Sequence, residues 1–173
     1  MHFQNLQVDI TTLPQLQEVA LKPIEPNYLK VLRLTWLISF CILLIGLAAL
    51  IYFVDDLQTL LWIGVSAGGY VVLAIFTVTI GTGSFHRKGY AIREKDVLYR
   101  TGWIVHKFHV VPFNRVQHCM VRSGPIERKY GLAGITVYTA AGDSKDITIR
   151  GLRQDEAERL KEFIMQHVQP LQA

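Results

Sequence analysis

The 173-residue sequence predicts a membrane α-helical hairpin of two transmembrane helices, followed by a bent antiparallel sheet or open β-barrel with a C-terminal α-helix. Three observations predict this. Two long apolar runs without a charge occupy Leu34–Val54 and Leu57–Phe85. Short segments rich in aromatic and β-branched residues then fill most of 90–149, the signature of strands. A single amphipathic helical period closes the chain. The organisation expected is an N-terminal cytoplasmic segment over 1–28, the hairpin over 29–85, and a cytoplasmic domain over 86–173.

The first span has 21 uncharged residues, enough to cross a hydrocarbon core of about 30 Å at about 1.5 Å per residue. The second is expected over about 60–80, with Asp55 and Asp56 marking the break between them. Neither run shows the polar stripe of a soluble core helix. A cleaved signal peptide is not expected, because the first run begins after more than thirty residues and a second span follows at once. Lys22, Lys30 and Arg33 precede the hairpin, and His86, Arg87, Lys88 and Arg93 follow it. Lys and Arg resist translocation, so both termini are expected in the cytoplasm and the aspartates outside, with the chain a multi-pass protein of the bacterial cytoplasmic (inner) membrane.

Before the hairpin, Leu13, Leu16, Val19 and Ala20 have helical spacing, which allows either a short amphipathic helix near 14–21 or a partly ordered tail. Pro23 and Pro26 then favour extended backbone. In the second span, Gly64 and Gly68 form a GxxxG spacing that allows close helix packing. The partner expected first is the other span, through Gly46 and Ala49; a homo-oligomer is the alternative. Gly81-Thr-Gly83-Ser reads as a flexible exit from the membrane.

Strands are expected at 90–94, 97–101, 103–111, 116–121, 135–139 and 146–149, with turns at Glu94–Asp96, Thr101-Gly102 and Ala141–Asp143. The closing helix, 154–168, carries Asp155 and Glu156 in its first turn, where carboxylates suit the helix dipole. Ala157, Leu160, Ile164 and Val168 form its apolar stripe, with Phe163 beside it.

Catalytic constellations are absent from the sequence: there is no hydrolase elbow, HExxH, Walker loop or carboxylate cluster. A structural zinc site has no support, because Cys41 and Cys119 form neither a CxxC nor a Cys/His set. His106, His109 and His118 read as ordinary strand residues, and Glu127 as part of a solvated charge group. No enzyme activity and no cofactor are therefore expected. Residues 86–150 hold twelve Lys/Arg against five Asp/Glu, a net of +7. Nucleic acid is not expected as the partner, since no groove-reading helix or base-stacking sheet is evident. Beside a membrane, such a domain feels anionic lipid at about 1 kcal/mol per nearby basic residue. Arg87, Lys88, Arg93, Lys95 and Arg100 are the candidate lipid contacts, although positive-inside bias alone also accounts for Arg87 and Lys88.

Three ordered motifs carry a family resemblance: Val111-Pro-Phe-Asn-Arg115-Val-Gln117, then Gly124-Pro125-Ile-Glu-Arg128-Lys-Tyr-Gly131-Leu-Ala133, then Thr139-Ala-Ala-Gly142. Over about residues 28–170 the chain resembles the bacterial PH-like domain, once a domain of unknown function, and with two spans before a single such domain it is similar to YdbS-like membrane proteins. The resemblance implies a PH-like barrel in which Gly124, Pro125, Arg128 and Gly131 form a structural turn between two strands. It implies a binding or scaffolding module of the membrane. An accessory subunit of a transport or membrane-stress system is the alternative, disfavoured because neither span carries an ionisable residue, and no residue constellation argues for an enzyme. The resemblance also implies a heteromeric complex, with a larger PH-like-domain membrane protein as partner. The basic Lys-Xn-Arg-x-Arg pattern of phosphoinositide-binding PH domains is not reproduced around the first hairpin.

Overall fold

The structure, a computed structural model, describes residues 19–140 and 146–168. A two-residue strand, β1 (Lys22–Pro23), precedes helix α1 (Asn27–Phe53). A 3-10 turn at Asp55–Gln58 leads into α2 (Leu60–Arg87). There follow β2 (Gly89–Ile92), β3 (Asp96–Thr101), β4 (Lys107–Pro112), β5 (Val116–Arg122), the helical turn α3 (Pro125–Lys129), β6 (Leu132–Thr139), β7 (Ile147–Arg153) and α4 (Gln154–His167). The helix allowed near 14–21 and the turn expected at 141–143 lie outside the described residues or, for 19–21, are not helical.

Both apolar runs form helices of spanning length whose apolar windows are unburied by the chain itself. Large side chains such as Ile45 and Leu60 face outward at 70% and 87% exposure, which suits lipid and not water. Several polar groups inside the spans are satisfied within their own helix. Thr79 Oγ1 donates to the Ile75 carbonyl at 2.7 Å and Ser66 Oγ to the Ile63 carbonyl at 3.0 Å. Tyr70 reaches the other helix, donating to the Phe40 carbonyl at 3.0 Å while its ring meets that of Phe40 edge-on.

Both helices extend past their apolar runs at the end that carries the domain. α1 starts at Asn27 rather than Leu34, and α2 continues through Gly81–Ser84, so that segment is helix and not a flexible exit. The glycines serve close approach: a Cβ on Gly81 would lie 2.2 Å from Trp36 Cζ2, and one on Gly83 2.7 Å from Trp103 Cδ2. The GxxxG pair behaves differently. A Cβ on Gly46, Gly64 or Gly68 would meet nothing within 4 Å, so the expected packing of Gly64 and Gly68 on the first span is not made. The helices meet instead through Tyr70 and Phe40 and at the end nearest the domain, where Trp36 fills the gap beside Gly81.

The described strands form two antiparallel sheets, β1-β2-β3-β4 and β5-β6-β7, in an open arrangement closed by α4, consistent with a PH-like fold. Period-2 alternation sends Ile135, Val137, Ile147 and Ile149 into the core, where all are buried, and α4 adds Ala157, Leu160 and Ile164. The N-terminal approach belongs to this core as well. Ile24, Tyr28 and Val31 are buried in it, so a boundary at residue 86 omits part of what the domain packs around. The junction requires Gly151 (φ +78): a Cβ there would lie 2.5 Å from Tyr28 Cγ and 2.6 Å from Ile24 Cγ2. Glu25 N–H donates to the Gly151 carbonyl at 3.0 Å, fixing β7 against the start of α1.

Two further expectations are corrected. The strand expected at 103–111 begins only at Lys107, so Trp103–His106 is a loop and His106 is not a strand residue. A Cβ on Gly102 (φ +96) would sit 1.9 Å from the Val105 carbonyl oxygen, and this tight return breaks the strand. The segment 123–134 contains a helical turn. Glu127 is not merely solvated: its Oε2 accepts from Gly124 N–H at 2.9 Å and caps the first turn of α3. Arg128 N–H donates to the Gly124 carbonyl at 2.8 Å, and Gly131 (φ +66) ends the turn in the left-handed region.

Candidate functional site

The antiparallel register of β2 and β3 divides the candidate lipid contacts between two ends. Gly89 pairs with Arg100 and Ile92 with Val97, so Arg87, Lys88 and Arg100 share the end nearest the membrane helices. Arg93 and Lys95 occupy the opposite tip, five residues from Lys88 and Arg100 respectively and about 16 Å away at about 3.3 Å per strand residue.

At the proximal end, His86 and Arg87 lie in the last turn of α2, where cations suit the negative end of the dipole. Arg100 Nε donates to the Arg87 carbonyl at 3.1 Å and holds the start of β2 against the end of the helix. Lys88 is half-buried, and burial followed by the field of Arg150 lowers its pKa from the ordinary lysine value. That coupling adds Arg150, from β7, to the cluster. Among the described residues, no carboxylate comes within salt-bridge distance of Arg87, Lys88, Arg100 or Arg150.

The distal tip is neutralised. Arg93 makes a two-pronged ion pair with Asp96, Nε to Oδ1 at 2.7 Å and a terminal nitrogen to Oδ2 at 2.5 Å. Lys95 stands next to Glu94 at the rim of a 440 Å³ cleft with Phe113 and His167.

Arg150 also borders a cleft of about 640 Å³ on the outer face of β5-β6-β7. Register places Arg122, Gly134 and Arg150 in one row across the three strands, so a glycine separates two arginines. Thr136, Tyr138 and Thr148 line the next positions, with the two threonine hydroxyls 3.1 Å apart. Arg122 is steered by Met120 Sδ at 2.9 Å and by the Tyr138 hydroxyl at 3.4 Å. Hydroxyls and guanidinium groups converge on this hollow, which Glu127 also lines from its α3 cap, and the two arginines can hold an anion or an acidic side chain.

The sequence reading missed Arg122 and Arg150. They sit on strands 28 positions apart, and only strand alternation with a known register brings them to one face. Of the other positions singled out, Gly124, Pro125, Arg128 and Gly131 build the α3 turn, with Gly124 at the cleft rim. Gly64 and Gly68 lie far along α2 with open space beside them.

Burial pushes the Cys119 thiol up to about 11, so it stays protonated and poorly nucleophilic near neutral pH. Burial raises Glu156, but hydrogen bonds from Lys22 and Tyr90 outweigh it and hold the carboxyl below its ordinary range, an arrangement that ties β1 and β2 to α4. Among the described residues, no three His, Cys, Asp or Glu side chains gather as a metal site would require.

Comparison with known proteins places this architecture. Residues 36–168 match the family model described as Bacterial PH domain. The UPF0699 transmembrane protein YdbS of Bacillus subtilis (strain 168) is 32% identical over 154 residues, covering 86% of this chain and 93% of that protein. No solved structure matches. With a domain of two open antiparallel sheets and a closing helix carried on two apolar helices, this chain is a membrane protein that belongs to the bacterial PH domain family, as a homologue of YdbS.

Proposed function

We propose that the chain is a membrane-anchored binding module of the cytoplasmic membrane whose PH domain engages anionic lipid headgroups through Arg87, Lys88, Arg100 and Arg150. One observation carries this reading. Four basic side chains gather where the domain meets the membrane helices, without a carboxylate partner among the described residues, and Lys88 is held there at a desolvation cost. An anionic headgroup supplies the missing countercharge at about 1 kcal/mol per basic residue. The role is binding, not catalysis, in keeping with the protonated Cys119 thiol.

Orientation follows the positive-inside bias. Lys30 and Arg33 on α1, and His86 to Lys88 at the end of α2, lie on the domain side, and Asp55-Asp56 lie at the short turn between the helices. Both termini are cytoplasmic in this reading. Cysteines placed singly at Gln58 and Lys95 test it: an impermeant thiol reagent on intact cells labels only the first, and the reverse pattern overturns the orientation.

A second reading is supported by the outer-face cleft. Arg122 and Arg150 flanking Gly134 suit an acidic segment of a protein partner, and the family resemblance makes a larger PH-domain membrane protein the first candidate. The full chain in neutral detergent, titrated with anionic and then zwitterionic short-chain lipid, separates the two readings. Saturable, salt-sensitive binding of the anionic lipid alone supports the lipid module. Equal binding of both lipids, or of neither, leaves the cleft as the functional surface.

A further inference from the structure

The β3–β4 loop presents three consecutive apolar side chains, Trp103, Ile104 and Val105, at 38%, 73% and 64% exposure. Elsewhere in the described part of the domain, exposed large apolar residues stand singly or alternate along a strand, as Phe108 and Val110 do. The presentation is built in, since the left-handed Gly102 folds the loop back on the Val105 carbonyl.

Its position relative to the bilayer follows from α2. Leu60–Ile80 spans about 30 Å at about 1.5 Å per residue, which matches the hydrocarbon core. Gly83 then lies about 4.5 Å beyond that core, within the headgroup layer. Trp103 packs on Gly83, and Trp36 of α1 packs on Gly81 one half-turn earlier. Two tryptophans on these two glycines mark the cytoplasmic interface, the depth that indole prefers. Arg100 and Lys107 flank the loop at paired positions of β3 and β4, Arg100 opposite Phe108 and Lys107 opposite Thr101. Cations on either side of an apolar tip suit phosphates above an acyl boundary.

We propose that Trp103–Val105 inserts into the boundary between headgroups and acyl chains, giving the chain a third membrane contact besides its two spans. The domain is already packed on the start of α1 and the end of α2; this loop adds a contact between one edge of β1-β2-β3-β4 and the bilayer. The contact needs apolar lipid and no particular headgroup, so it stands apart from the anionic-lipid reading and is tested in neutral bilayers.

In the full chain with Cys41→Ala and Cys119→Ala, single cysteines are placed by Ile104→Cys, Val105→Cys and, at the distal tip, Lys95→Cys. In phosphatidylcholine nanodiscs, a charged, water-soluble maleimide should react several-fold more slowly at 104 and 105 than at 95. Equal rates overturn the proposal. Nitroxides on the same sites then distinguish lipid from protein. Lipid insertion gives oxygen accessibility well above that of a water-soluble nickel complex at 104 and 105, with the order reversed at 95. Low accessibility to both reagents at 104 and 105 means that protein, such as a second copy, covers the loop, and also overturns the proposal.

Discussion

At the membrane-proximal end of the β2–β3 hairpin, Arg100 braces the Arg87 carbonyl and Lys88 stands half-buried in the field of Arg150. At the distal tip, Arg93 is clamped by Asp96 and Lys95 stands beside Glu94. The two ends are separated by a few strand residues and carry the same kinds of side chain. Their difference teaches that a net charge does not locate a site. The proposed site is placed where cations are crowded, partly desolvated and outside salt-bridge distance of a carboxylate among the described residues, which is the end tied to the membrane helices.

The sharpest way to break the comparison is to remove one end at a time. Replacing Arg87, Lys88, Arg100 and Arg150 together with Gln should cost up to about 4 kcal/mol of anionic-lipid binding, roughly a thousandfold. Arg93→Gln with Lys95→Gln should change the same titration by no more than about threefold, because the Asp96 pair already neutralises one of the two. Comparable losses at both ends would mean that diffuse charge, not a site, attracts the lipid.

The proximal end also depends on how the domain is seated on α1. Gly151→Val forces a left-handed branched residue against Tyr28 and Ile24, at an expected cost of about 2–4 kcal/mol. Thermal unfolding of the full chain reads it, and an unchanged midpoint would show that the junction is not packed as described.

A smaller effect of opposite sign is expected at Lys88. Its lowered pKa means that the protonated form is disfavoured in the fold, a cost fully present below that lowered value. The unfolded chain binds the proton more tightly, so this contribution to stability rises with pH towards the ordinary lysine value. Lys88→Met should therefore raise thermal stability modestly at neutral pH without anionic lipid, lose that advantage in alkaline buffer, and still weaken lipid binding. A variant less stable at neutral pH would contradict the desolvation account.

The least effect on the chain itself is expected from Gly64→Ile or Gly68→Ile, where added side chains enter open space. Thermal stability should hold. A fall in oligomer size in detergent would show that this face of α2 meets a second chain.

Much of the architecture was legible in the sequence because its signals are local. Uncharged runs of spanning length, period-2 strands and the Ala157–Leu160–Ile164 stripe each reflect the solvent on one side of one element. The errors came where contacts that composition does not show decide, whether distant or local. Gly81 and Gly83 look like a flexible exit until Trp36 and Trp103 are placed on them, and Gly102 stops a strand that composition alone extends to Trp103. Glu127 looks solvated until it is seen to cap α3. Of the proposed site, the sequence offers the basic residues near the spans as candidates, but pairing register was needed to set Arg93 and Lys95 apart and to bring in Arg150.

The central claim, that headgroups meet the proximal cluster, is tested most directly by a photoactivatable anionic phospholipid with its reactive group on the headgroup. The full chain in nanodiscs is irradiated and the crosslinked residues are mapped. Crosslinks should concentrate at 87–88, 100 and 150, avoid 93–95, and fade when excess unlabelled anionic lipid is added but not when phosphatidylcholine is. Crosslinks at 93–95, or a pattern that phosphatidylcholine competes away equally well, would contradict the claim.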